Sequence, residues 1–150
     1  MTNDCLVSIQ GLQFGEGVSD EELDQIETIC PGKYFHKADA QYVLYDEIIE
    51  GMGETIQNKI KIKSDEITVT KKGPFQVQMV FEKGKKTMTE YHTPFGSIML
   101  AMDTQVLEVT ENEEKIKIYI KYGLEANYQF VADCEIRMDI TEKRISGAMQ

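Results

Sequence analysis

The sequence predicts an antiparallel, mostly up-and-down β-barrel of about eight to ten strands in one domain spanning residues 1–150, and three observations predict it. Residues 115–140 carry two long stretches of period-two alternation joined by a short link. The same alternation recurs between Cys5 and residue 92, interrupted by Gly, Asp or Pro turns. The links are short, with no long crossover, so the strands pair as neighbours and closure removes exposed edges.

Taken in order, Cys5, Val7 and Ile9 alternate with Leu6, Ser8 and Gln10, and Gly11, Gly15 and Gly17 then punctuate a loop. Residues 19–30 carry two patterns. Ser19-Asp20-Glu21-Glu22 has the form of a capping box, with Leu23, Ile26 and Cys30 at helical spacing. Ile26, Thr28 and Cys30 alternate equally well as a strand, and we expect a short turn near 19–23 followed by a strand to Cys30. Tyr42 to Ile49 is dense in β-formers, Met52 sits in a turn between Gly51 and Gly53, and Ile56, Ile60 and Ile62 resume the alternation. Ser64-Asp65-Glu66 turns the chain into Ile67 and Val69, Lys72-Gly73-Pro74 into Val77, Met79 and Phe81, and Lys83-Gly84-Lys85 into residues 86–92.

The terminal hairpin is the clearest stretch. Ile116, Ile118, Ile120, Tyr122 and Leu124 form one face of the first strand, and Tyr128, Phe130, Ala132, Cys134, Ile136, Met138 and Ile140 one face of the second. A three-residue loop, Glu125-Ala126-Asn127, with Leu124 opposite Tyr128 places Lys117 across from Glu135 on the wet face.

Charge and composition narrow the partners. With 26 acidic against 16 basic residues the net charge is −10, which disfavours nucleic acid and membrane as partners. The N-terminus lacks a basic region before an apolar run, and no stretch approaches the roughly 20 apolar residues of a spanning helix. Cys5, Cys30 and Cys134 lie in apolar stretches without a Cys-x-x-Cys pair, as expected of reduced thiols in a cytoplasmic protein.

Several stretches, taken together, resemble the YwiB-like family of small, uncharacterised bacterial proteins. They are Gly32-Lys33-Tyr34-Phe35; Tyr42-Val43-Leu44-Tyr45-Asp46-Glu47 with Gly51-Met52; Gln78-Met79-Val80-Phe81-Glu82-Lys83-Gly84; and Tyr91-His92-Thr93-Pro94-Phe95-Gly96. The resemblance implies a calycin-like barrel, the architecture of lipocalins and fatty-acid-binding proteins, in a cytoplasmic protein of bacterial, Gram-positive source. It also favours a strand over the second half of residues 19–30. It supplies no activity. Asp46-Glu47 stands where the family tends to show two glutamates.

Candidate ligand-binding residues are Tyr45, Glu47, Met79, Phe81, Tyr91, His92 and Phe95. Tyr45 and Glu47 share a strand face, where a desolvated carboxylate beside a phenol could fix a polar ligand group or move a proton. The alternative is a Glu47 that faces outward or bonds a strand neighbour. Met79 and Phe81 form an apolar stripe suited to a core or to an apolar cavity. His92 flanks a turn over Thr93–Gly96, with Phe95 plugging one barrel end. Neither histidine has a spaced ligand set, no phosphate-loop or nucleophile-elbow spacing occurs, and no metal, cofactor or catalytic residue is assigned. The leading expectation is a non-enzymatic barrel binding a small apolar or amphipathic ligand. An interaction module, such as a homodimer using Tyr119 and Val131, is the second reading. An enzyme using Glu47 or His92 for proton transfer is the third.

Overall fold

The computed structural model describes residues 3–11, 27–49 and 53–143. Ten strands follow one another: β1 (Asp4–Gln10), β2 (Glu27–Lys37), β3 (Ala40–Ile49), β4 (Glu54–Ile62), β5 (Glu66–Lys72), β6 (Gln76–Glu82), β7 (Lys86–Thr93), β8 (Gly96–Glu111), β9 (Lys115–Ala126) and β10 (Gln129–Glu142). Each pairs antiparallel with its sequence neighbour, and β1 also pairs with β10 to close the barrel. Among the described residues there is no helix. The capping-box segment and Met52 lie outside them, and the contested stretch enters as strand from Glu27 and continues past Cys30 to Lys37.

Alternation decides what is inside. Val7, Val43, Ile60, Val69, Met79, Ile120, Ile136 and Met138 point inward and are at most 1% exposed. Phe81 meets Tyr122 edge-on at 4.9 Å between ring centroids, an arrangement that suits the ring quadrupoles. Gly32 faces inward opposite Tyr45, where a Cβ would stand 2.9 Å from both Leu44 O and Val7 Cγ2. At Gly11 the chain leaves β1 with φ of 90°, and a Cβ would overlap Glu135 O at 2.0 Å.

The terminal hairpin keeps the expected inward face but not the expected register. The loop is the two-residue Asn127-Tyr128, both with positive φ, and Ala126 pairs with Gln129. A bulge between Phe130 and Ala132 then sets Leu124 opposite Ala132, Lys121 opposite Glu135 and Lys117 opposite Asp139. The shift is even, so side chains keep their faces while charge pairs exchange partners. Tyr128 and Phe130, expected inside, lie beyond the bulge at 75% and 66% exposure.

The two ends differ. At the end where β2 stops and β3 begins, Tyr34 Oη donates to Gln41 Oε1 at 2.5 Å, and Gln41 Nε2 donates to Glu111 Oε2 at 2.9 Å. This chain runs from β2 and β3 to β8. At the opposite end, which we call the upper end, Cys30, Phe75, Tyr91, Leu124, Ala126 and Cys134 pack on the core but remain partly exposed.

Ile120 sits at mid-barrel between Leu107 and Ile136. Ile120→Ala is expected to lower unfolding free energy by about 3 kcal/mol, measured by urea denaturation, because the closed wall cannot collapse onto the void.

Candidate functional site

Three adjacent strands bring polar side chains into the upper barrel. Tyr45 on β3 pairs with Asn58 on β4, and Asn58 pairs with Lys71 on β5. All three occupy inward positions in otherwise apolar alternations and are 5%, 3% and 5% exposed. Glu47 lies one inward position above Tyr45. Lys71 Nζ donates to Glu47 Oε1 and to Asn58 Oδ1, each at 2.8 Å, and Asn58 Nδ2 donates to Ile56 O at 3.2 Å.

The network balances a buried charge. An ammonium taken out of water must find a counter-charge and acceptors, and Glu47 and Asn58 supply both. Lys71 is nearly enclosed, whereas the Glu47 side chain keeps 20% of its surface accessible, so the carboxylate retains partial contact with solvent. Burial and the Glu47 charge raise the Tyr45 phenol far above its ordinary range. Cys30 belongs to the same neighbourhood: burial first, then Glu47, raise its thiol, and Lys71 acts in the opposite direction.

The sequence candidates separate into three groups. Tyr45 and Glu47 come together inside the barrel, and Tyr91 lies at the same end, half-buried and stacked on Phe75 at 5.4 Å. Burial raises the Tyr91 phenol. Met79 and Phe81 are wholly buried core residues. His92 is exposed on the outer wall, with Nδ1 3.1 Å from Ser97 Oγ and 3.7 Å from Glu90. Glu47 and His92 therefore stand on opposite faces of the wall and cannot share a substrate. Phe95 does not plug the barrel: it is 99% exposed on the β7–β8 turn, because the turn carries it outside the rim.

Asn58, Lys71 and Cys30 complete the cluster and were not singled out from the sequence. Their signal was positional. Ile56-x-Asn58-x-Ile60 and Ile67-x-Val69-x-Lys71 each place a polar residue on the parity of the apolar face. Tyr119, proposed for partner contact, is engaged within the chain: its hydroxyl donates to Glu135 at 2.5 Å and Arg137 lies over its ring at 5.2 Å. Among the described residues no group of three His, Cys, Asp or Glu is placed to hold a metal ion. No helix among them is long and apolar enough to cross a membrane.

Comparison with known proteins agrees with this architecture. Residues 8–138 match a family described as a domain of unknown function, DUF1934. The chain is 28% identical over 106 residues to the uncharacterized beta-barrel protein YwiB of Bacillus subtilis (strain 168), covering 70% of this chain and 72% of that one. The crystal structure of the ywiB protein from Bacillus subtilis superimposes with a TM-score of 0.75 at 20% identity, covering 95% of this chain and 93% of the other.

Two outcomes follow from the buried network. Lys71→Met, which strands Glu47 and Asn58, should cost about 2–3 kcal/mol in urea unfolding, discounted for the partly solvated carboxylate, and adding Glu47→Leu should recover much of it. Tyr45 holds its proton in the folded state well above its ordinary value of 10.0, so its contribution is present below that pH and is lost as pH rises above it. Tyr45→Phe should move alkaline unfolding, followed by circular dichroism, to higher pH.

Proposed function

We propose, since the chain belongs to the DUF1934 family and that family carries no assigned activity, that the protein is a non-enzymatic barrel binding a small amphipathic ligand at its upper end. One observation carries the reading: the Lys71–Glu47–Asn58 network lies inside the same end of the barrel as apolar residues that pack on the core yet remain partly exposed. An ammonium has three N–H donors, and Glu47 and Asn58 take two of Lys71's. Glu47 accepts through Oε1, which leaves its second oxygen for a ligand hydroxyl or amine. Phe75, Tyr91 and Leu124 offer surface for an apolar body.

The rim supports the same reading. Ile29, Ile48, Phe95, Ile98, Tyr128 and Phe130 all expose apolar surface at or near the upper end. Apolar surface at the same end as a partly polar interior suits a ligand that is largely hydrocarbon with one polar group. A proton-transfer enzyme is the weaker reading, because Glu47 lacks His92 as an inward partner.

A second reading rests on Tyr128. It takes φ of 68° where glycine or asparagine is the usual occupant, and displays an exposed ring beside Phe130 and Val131. Strain kept to present an aromatic favours contact with a partner, including a second copy of the chain.

Native mass spectrometry of the purified protein separates the two. A retained small molecule on the monomer, with saturable binding of 1-anilinonaphthalene-8-sulfonate, supports the ligand barrel. Ala126→Phe should then abolish dye binding, and Glu47→Gln should weaken a ligand with a hydrogen-bond donor by about tenfold. A dimer without retained mass, lost in Tyr128→Asn, supports the interaction module. No retained mass and no saturable dye binding overturns the ligand reading.

A further inference from the structure

A second site lies on the outer wall of the barrel, backed by the strands that carry Tyr45 and Asn58, which also border it. Across the outer wall, Lys33 stands opposite Leu44, Leu44 opposite Lys59, Lys59 opposite Thr70 and Thr70 opposite Gln78. In the neighbouring outward row Gln57 stands opposite Lys72, which places Lys72 diagonal to Lys59. Lys61 follows Lys59 two residues along the same face. Here the strands bound a hollow of about 870 Å³, lined by Lys33, Lys59, Lys72 and Lys143 against Asp4 and Asp46. A smaller hollow of about 440 Å³ adjoins it, sharing Lys59, Thr70 and Lys72.

Three features distinguish this wall. The chain as a whole carries a net charge of −10, yet lysines outnumber carboxylates two to one around the larger hollow. Asp4 is already paired with Lys33, whereas Lys59, Lys61 and Lys72 have no ion-pair partner among the described residues. Like charges on neighbouring positions of a sheet repel. Between them Thr70 Oγ1 is buried and makes no hydrogen bond, although a buried hydroxyl without an acceptor is destabilising.

A bound anion resolves all three. We infer that the hollow around Lys59, Thr70 and Lys72 is a binding site for a small phosphate-bearing molecule. Its oxygens accept from the two ammonium groups and, once the Thr70 side chain turns toward the hollow, from its buried hydroxyl, and Leu44 and Pro31 contact the remainder of the ligand. The hollow has the volume of a small-molecule site. A long polyanion would have to run on over an acidic surface, whereas a small one stays within about a Debye length, ~8 Å, of the lysines.

The test titrates inorganic pyrophosphate into the full chain at constant ionic strength, with sodium chloride as reference. It is followed by calorimetry and by amide chemical shifts. Saturable 1:1 binding with shifts centred on Lys59, Thr70 and Lys72 is expected. Lys59→Gln/Lys72→Gln should weaken it by about tenfold or more. Thr70→Val should weaken it several-fold without lowering the urea midpoint, since the hydroxyl has no partner to lose. A linear response equal to that of chloride, or undiminished binding in the double variant, overturns the site. So does displacement of pyrophosphate by a single-stranded oligonucleotide at lower concentration, which would make the wall a surface for a polymer.

Discussion

The structure depends on β1 having two partners. Val7 lies opposite Ile140 on one side and Cys30 on the other, and the same holds residue by residue along the strand. A slip of one residue at either seam would turn Cys5, Val7 and Ile9 to water, so the closing strand fixes register through hydrophobic burial rather than through any turn. Once the ring is closed, every strand has a neighbour on both sides, and inward or outward placement follows from odd or even position.

That constraint explains the interior charge. With the alternation of β5 set by Ile67 and Val69, Lys71 has no choice but to enter the barrel, and the same is true of Asn58 between Ile56 and Ile60. Their hydrogen bonds offset desolvation without adding much to stability, since a buried ion pair roughly breaks even against an apolar replacement. What the network contributes is definition. It gives the upper interior a fixed donor and acceptor pattern that an all-aliphatic filling would lack.

Much of this was legible in the sequence. The strands, their order and the inward residues of the terminal hairpin follow from period-two alternation, and Tyr45 with Glu47 was placed correctly on one face. Details that depend on geometry were not. The hairpin register hinged on a two-residue turn with Tyr128 in a conformation its side chain disfavours, and on a bulge at Phe130. Neither has a compositional mark. Phe95 looked like a plug because it is aromatic, yet its direction was set by a turn. Net charge concealed the basic wall, since a sum over 150 residues says nothing of which lysines share a face. Lys71 and Asn58 were visible in principle, but only to a parity count that treats a misplaced polar residue as information.

One seam is unlike the others. β6 and β7 share a single register pair, Gln76 with His92, where most neighbouring strands share six or more. Part of the shortfall is met by a side chain, the Thr87 hydroxyl donating to Val80 O. The two strands still lie as close together as other neighbours, so nine joints of the ring are laced by backbone pairing and the tenth is held mainly by packing. Local opening costs least where the fewest backbone bonds must break, which places the first point of separation between β6 and β7. A ring built this way yields first at one seam while the pairing of its other strands holds.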